Sequence, residues 1–291
     1  MAIKISIITS MYNRRNETID SIEALFFNSI KQHGKKDREL IIIDDHSPLE
    51  KETLGLFKKH EKELKSIFGR VIFKRNPTNY GFGKSFNSGI KISKGKFIVI
   101  VNDDVYLPKD SVSALTNILS ESKTYGILGP ITGEKFTWTS QYCKQAPKLE
   151  SYSKDSFNKI EDFAKYARKK LKGKRIKTDI LSGFCFVVSS ELIKSHNGFD
   201  ETFGIGFYED IDLSRRISSK FDVIIAPEVY VHHGSLKGIS TSFNQHPIKK
   251  LYSQIRNTAR YSRKCGLYSA ITFIVKGRYR QTGRNTVSEL F

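Results

Sequence analysis

The stretch Val99-Ile100-Val101-Asn102-Asp103-Asp104-Val105-Tyr106-Leu107-Pro108 decides the fold, because an apolar run stops at acidic residues where a strand should end. A strand buried on both faces cannot keep unpaired carboxylates, so Asp103 and Asp104 belong at its exit, within reach of water, a divalent cation or a hydroxylated ligand. In a parallel sheet that exit is the ligand-binding rim. Oxygen ligands of this kind suit Mg²⁺ or Mn²⁺. An ordinary acidic turn looks the same locally, so the neighbouring segments have to separate the two.

Working outward, Ile3 to Ser10 predicts a first strand, and after Asn13-Arg14-Arg15-Asn16-Glu17 a helical period follows through Ile30, with Met11 to Asn16 as the turn between them. Glu39 to Ile43 predicts a continuously apolar second strand that ends in Asp44-Asp45-His46-Ser47-Pro48, with a charged helix from about Glu50 to Ser66. Val71 to Lys74 predicts a third strand, Lys84 to Ser93 a helix, and Lys96 to Val101 the fourth strand. Short apolar strands alternating with helical segments imply an α/β fold whose mostly parallel sheet is covered on both faces. All strand exits then share one edge, which brings Met11 to Asn16, Asp44-Asp45 and Asp103-Asp104 together. Two acidic exits on one rim need a partner more than one does, since each adds like charge.

Gly83-Lys84-Ser85 imitates the end of a phosphate loop, but Thr78 stands where its first glycine is required. A tight turn through Asn79, Gly81, Asn87 and Gly89 that lets a helix start approach a ligand is the better reading. From Thr132 to Thr178 a basic, aromatic insertion with Trp138, Tyr142, Tyr152 and Phe157 predicts one helix, at about Ile160 to Leu171. Ile180 to Val188 predicts a further strand, and Val223 to Ala226 another. Between them, Glu209-Asp210-Ile211-Asp212 opens a helix, where carboxylates offset the macrodipole. Phe207 and Tyr208 put apolar surface beside Glu209 and Asp210, the setting in which a carboxylate becomes a useful base. His232 and His233 end the last strand, where imidazole can complete the coordination of an ion already held by a carboxylate.

The chain has 291 residues and 38% hydrophobic content, enough for one large α/β domain or a domain with an appendage. Cys143, Cys185 and Cys265 are far apart and form no CxxC pair, so neither a disulfide framework nor a zinc knuckle is expected, and a reducing cytosol fits. No signal peptide and no run of transmembrane length is read. A net charge of +19 favours phosphate-rich partners, among them nucleic acid, anionic lipid and a nucleotide diphosphate. No nucleic-acid recognition helix, RNP motif or zinc site accompanies it, so no nucleic acid is expected.

In order and combination these segments resemble the family 2 glycosyltransferases with the GT-A fold, a Rossmann-like nucleotide-diphospho-sugar transferase fold, and in particular a rhamnosyltransferase-like branch. Ser6 to Arg14 is similar to the first-strand motif, and Asp44-Asp45-His46-Ser47 to Asp-Asp-x-Ser. Asn79 through Gly89 is similar to Asn-x-Gly-x5-Asn-x-Gly, and Asn102-Asp103-Asp104 stands at the DxD place, with Asn102 for its first Asp. Gly198-Phe199-Asp200-Glu201 with Glu209-Asp210-x-Asp212-Leu213 resembles the acceptor-side motif.

The resemblance implies an inverting, metal-dependent transferase. Its nucleotide-sugar donor, UDP- or dTDP-linked, would meet Thr9, Met11, Asn13, Arg14, Asp44, Asp45, Asn79, Lys84, Asn87 and Asp103. It further implies Mn²⁺ or Mg²⁺ on Asp104 and His232, with His233 a rival, and Asp210 as catalytic base beside Glu209. Arg256-Asn257 is implied as a diphosphate contact, a solvated basic helix being the alternative. The acceptor implied is a glycan or lipid-linked hydroxyl. The expected division is a catalytic domain over 1–240 (donor half 1–110, acceptor half 111–240, insertion 132–178) and a basic helical extension over 241–291. Leu267 to Val275, followed by Lys276, Arg278, Arg280 and Arg284, is suited to an anionic membrane surface or to packing on the domain. A cytoplasmic location, peripheral on the inner face of the membrane, follows from the first. The competing readings are a noncatalytic nucleotide-sugar or carbohydrate-binding protein, a basic nucleic-acid binder, and a sugar nucleotidyltransferase. The last expects a Gly-rich turn where Met11-Tyr12-Asn13 stands.

Overall fold

A computed structural model describes residues 2–13, 16–134, 140–149, 151–234, 247–266 and 287–291. The chain opens with β1 (Ile5–Met11), then α1 (Asn16–Ile22), which passes through a π-helical turn (Glu23–Phe27) into α2 (Asn28–Ile30). The wider turn lets Leu25, Phe26 and Phe27 all be buried in succession. Next come β2 (Arg38–Asp44), α3 (Glu50–Ile67), β3 (Arg70–Arg75), α4 (Phe82–Ile92), β4 (Phe97–Val101), β5 (Val105–Tyr106), α5 (Ser111–Leu119) and β6 (Tyr125–Ile131). The second half adds α6 (Lys154–Lys170), β7 (Ile176–Thr178), β8 (Cys185–Ser189), α7 (Ser190–Ser195), α8 (Glu209–Ser218), β9 (Asp222–Tyr230), β10 (His232–His233) and α9 (Pro247–Cys265).

The main sheet has the order β3-β2-β1-β4-β8-β6-β9-β7. β1, β2, β3 and β4 are parallel, and β6 and β9 run the same way, whereas β8 is antiparallel to β4 and β6, and β7 to β9. The expected mostly parallel α/β architecture is therefore present. The strand expected over Ile180 to Val188 forms only from Cys185, and it runs against its neighbours. A central strand buried on both faces shows the same apolar pattern in either direction, so its sense is not readable from composition.

Alternate residues of each strand face opposite sides of the sheet. Ile7, Leu40, Ile42, Val99 and Val101 pack with Phe26, Phe27, Leu56, Phe57 and Leu115, under α1, α3 and α5. Ile8, Ile41, Ile43, Ile98 and Ile100 pack with Phe86, Ile90, Ile160 and Leu213, under α4, α6 and α8. α4 comes closest at Gly89, where an added Cβ would lie 2.4 Å from Ile8 Cγ2. Gly89→Ala therefore tests two opposing effects. Alanine gains about 1 kcal/mol of helix propensity, but overpacking a fully buried strand costs about 1–3 kcal/mol. Urea unfolding should show a net loss of stability, and a stabilised variant would refute this packing.

No helix among the described residues is long and apolar enough to cross a membrane. The segment Leu267 to Val275 with its following cations, Trp138 and Arg14 lie outside the described residues.

Candidate active site

The strand order turns at β1, with β2 and β3 on one side and β4 on the other, so the carboxyl ends of β1, β2 and β4 border one crevice. β4 ends at Val101, and Asp103 and Asp104 form the turn into β5. β5 pairs antiparallel with β10, matching Val105 to His233. The backbone N–H of Gly234 donates to Asp104 O at 2.7 Å, and His233 Nε2 lies 3.1 Å from Asp104 Oδ1. Burial opposes protonation of His233, but the Asp104 carboxylate outweighs it and raises the imidazole pKa. Burial, with the charge of Asp104, pushes Asp103 well above the ordinary carboxylate range.

The histidine expected at the ion is His232, with His233 its rival, and it is His233 that the structure sets against the Asp104 carboxylate. Neighbours on a strand point to opposite faces. His233 takes the Asp104 side, while His232 is buried, with Nδ1 3.1 Å from Tyr230 Oη. Burial, aided by His233, lowers the His232 pKa to about 4.

Among the described residues no three His, Cys, Asp or Glu side chains converge as a metal cluster. The donors present nevertheless fit an ion that takes most of its ligands from a diphosphate. Asp104 and His233 face one another, and the Oδ1 of Asn102, two residues before Asp104 in the chain, is buried with no hydrogen-bond donor.

The second carboxylate group stands where α8 begins. Asp210 Oδ2 accepts from the N–H of Gly183 and Oδ1 from that of Ile211, both at 2.8 Å. Burial raises the Asp210 pKa and these N–H donors oppose the rise. Glu209 is also buried, but its Oε2 has no donor. Burial, with the charge of Asp210, raises its pKa to about 8. The environments differ across the pair: Glu209, whose Oε2 has no donor, holds its proton at neutral pH, whereas two backbone N–H donors favour the charged form of Asp210 against burial.

One loop joins the two groups. Asn102 N donates to Phe184 O at 2.9 Å, the rings of Phe184 and His233 are 5.4 Å apart, and the adjacent Gly183 N donates to Asp210. Gln141, fully buried, holds this loop through Ser182 N at 2.7 Å and ties it to Pro130 O at 2.9 Å. Neither Gly183 nor Gln141 belongs to the motifs read from the sequence. The available signal was a glycine interrupting an apolar run. A Cβ there would lie 2.8 Å from Phe82 Cζ and 3.3 Å from Asp210 Cβ.

On the donor side several expected contacts are occupied by the chain itself. Met11 is fully buried in the core under α1 and α3, so its side chain is not at the rim. Asp44 accepts from Ser47 N at 2.9 Å and pairs with Arg75. Asp45 accepts from Asn76 Nδ2 at 2.9 Å and from the N–H groups of Tyr80 and Gly81 at 2.8 Å, and so shapes the loop before α4. At 1% and 4% exposure, these two carboxylates offer a ligand little surface. Asn79 Oδ1 accepts from Gly81 N at 3.0 Å, and Lys84 Nζ stands 4.0 Å over the Tyr80 ring. Asn87 braces α4 against the Phe199–Glu201 turn through both ends of its amide.

Thr9 Oγ1, Asn13 Oδ1 and Asn76 Oδ1 are buried without partners. Asn13 is otherwise held by Ser47 and Thr53. Arg256 and Asn257, expected at a diphosphate or in solvent, turn instead to backbone carbonyls of residues 203–207.

Residues 6–196 match the model of the family described as Glycosyl transferase family 2. A 127-residue segment is 31% identical to the poly(ribitol-phosphate) beta-N-acetylglucosaminyltransferase TarP of Staphylococcus aureus, covering 43% of this chain and 36% of that protein. Over 131 residues the identity to the poly(ribitol-phosphate) beta-glucosyltransferase of Bacillus spizizenii is 27%, covering 45% and 19% respectively. These matches span well under two thirds of either relative. Among solved structures, the mannosyltransferase PcManGT of Pyrobaculum calidifontis in complex with GDP-Man and Mn²⁺ has a TM-score of 0.56 at 16% identity, over 90% of this chain and 65% of that one. S. aureus TarS 1-349 in complex with UDP-GlcNAc gives 0.54 at 16% identity, over 81% and 60%. Because the family match takes in the exits of β1, β2 and β4 and these structures share its α/β arrangement, the chain belongs to glycosyl transferase family 2 and has the GT-A fold.

Proposed function

We propose that the protein transfers a sugar from a nucleotide-diphosphate donor to an acceptor hydroxyl with inversion at the anomeric carbon. The observation that carries this reading is the Gly183–Phe184 loop, which joins Asp210, at the start of α8, to the Asn102–Asp104 exit of β4. Asp210 takes the acceptor proton as its oxygen attacks the anomeric carbon, and one displacement inverts the centre. Glu209 keeps its own proton, so no second negative charge faces the incoming hydroxyl. When bound, a divalent ion on Asp104, His233 and Asn102 supplies positive charge against the departing diphosphate.

Thr9, Asn13 and Asn76 bring unpartnered polar atoms to the donor half. Arg14, Asn79, Lys84 and Asp103 complete the proposed donor set. Mn²⁺ or Mg²⁺ is the proposed ion. UDP- or dTDP-linked hexoses or deoxyhexoses are the proposed donors, dTDP-rhamnose being the one that places the chain in a rhamnosyltransferase-like branch. The acceptor is a glycan or lipid-linked intermediate of cell-surface polysaccharide, in keeping with relatives named for poly(ribitol-phosphate). The net charge of +19 supports docking of the C-terminal segment on the cytoplasmic face of an anionic membrane.

The test is donor hydrolysis, with water as acceptor, across a panel of nucleotide sugars in Mn²⁺, Mg²⁺ or EDTA. One donor should turn over and EDTA should stop it. Asp104→Ala should lose about 3 kcal/mol of transition-state stabilisation, on the order of 10²-fold in rate. Binding of a donor without turnover in any condition would leave a carbohydrate-binding protein on the same fold.

A further inference from the structure

We propose that Asn257 is the positioning residue for the Glu209–Asp210 pair, acting from α9 through the backbone that leads into α8. Phe207 and Tyr208 precede the pair with φ of 75° and 79°. Bulky L-residues take that left-handed conformation only when their surroundings impose it, at about 1–3 kcal/mol each. Asn257 imposes it. Its side chain is fully buried, and Nδ2 donates to the carbonyls of Phe203 at 2.7 Å, Gly206 at 2.8 Å and Phe207 at 3.2 Å.

An amide has two N–H bonds, so the two shorter contacts are full hydrogen bonds and the third is shared. The opposite end of the amide is fixed too, because Arg256 Nε donates to Asn257 Oδ1 at 3.1 Å. α9 also holds Tyr208 directly, with Thr258 Oγ1 2.8 Å from the phenol and the Tyr261 ring at 5.2 Å.

Tyr208 is the N-cap of α8, and its carbonyl accepts from Asp212 N at 2.8 Å. If Phe207 and Tyr208 relax to negative φ, the first turn of α8 rotates. Asp210 then leaves the Gly183 donor, and Glu209 leaves its buried site. Thr258 and Tyr261 hold the Tyr208 side chain, but of these contacts only those of Asn257 reach the backbone carbonyls of Gly206 and Phe207. Lys264 pairs with Asp200 and Asp212, and Arg260 reaches Thr202 O, but neither touches Gly206 or Phe207.

This inference rests on the roles given above to Glu209 and Asp210, so its first readout needs no turnover. In the full chain, ¹³C-carboxyl NMR should show one glutamate titrating near 8, abolished by Glu209→Gln. Asn257→Ala should move that titration down by about one pH unit or more. Lys264→Ala should lower thermal stability and leave the titration in place. Adding Phe207→Gly to Asn257→Ala should bring it back, since glycine takes positive φ without strain. In donor hydrolysis, Asn257→Ala should lose about 10- to 100-fold in kcat with the donor KM unchanged. Asn257→Ser, which keeps one donor, serves if the alanine variant does not fold. A folded Asn257 variant whose Glu209 titrates as in the wild type overturns the inference. Absence of turnover in the wild type removes the proposed function, and the titration still decides the role of Asn257.

Discussion

Asp210→Asn should lose about 10³-fold in kcat for donor hydrolysis while binding UDP or dTDP as tightly as the wild type, the loss typical when a general base is removed. The amide is nearly the same size, but it cannot take a proton from a nucleophile. It also cannot accept from both backbone donors as the carboxylate does, because one end of an amide is itself a donor. A modest loss of stability should therefore accompany the loss of rate. Glu209→Gln is the matching experiment. A glutamate that already holds its proton at neutral pH is closely imitated by glutamine, so kcat at pH 7 should stay within about tenfold of the wild type. Steady-state kinetics on both variants, with calorimetric binding of the nucleotide, separates the roles. If Glu209→Gln is the dead enzyme and Asp210→Asn the active one, the two assignments exchange.

The sequence carried the parallel half of the sheet well. Val99 to Val101 is apolar on both faces, so the carboxylates that follow had to leave the strand, and Asp103 and Asp104 do form the turn at its end. Asp44 also closes its strand as expected. What pattern could not convey was which side chains remain free once the backbone has used some of them. Asp44 and Asp45 look like ligand-facing acids, yet most of their lone pairs go to Ser47, Arg75, Asn76, Tyr80 and Gly81. Met11 belongs to a motif and is nevertheless core, because it sits on the same strand face as Ile5 and Ile7. Choosing His233 over His232 requires the pairing of β10 with β5, a contact between segments more than a hundred residues apart in the chain. The role of α9 was hidden for the same reason. A basic amphipathic helix announces its charge, whereas the function inferred for it lies in one buried amide.

Glu209 also makes a prediction about stability that is independent of any substrate. Its pKa lies near 8 in the folded protein against an ordinary value of 4.5. A carboxyl raised on folding contributes stability that is fully present below the unfolded pKa and is lost as pH rises through the folded one, here between about 4.5 and 8. Each unit is worth about 1.4 kcal/mol, so the loss amounts to several kcal/mol by pH 9. Glutamine at 209 is neutral throughout and escapes it. Urea unfolding at pH 5.5, 7 and 9 should show Glu209→Gln gaining on the wild type at each step.

The acid side behaves in the opposite sense. Burial lowers the pKa of His33 and His232 to about 4 from 6.5, so their contribution is present above 6.5 and is lost as pH falls toward 4. From these groups the wild type should be most stable between the limbs, near pH 6 to 7, and Glu209→Gln should lose less than the wild type on the alkaline side, where Asp103 still contributes its own loss, and match it on the acid side. Parallel curves for the two proteins up to pH 9 would mean that Glu209 is ionised in the folded state. The pair at the start of α8 would then carry two charges, and the division of labour between Glu209 and Asp210 would have to be given up.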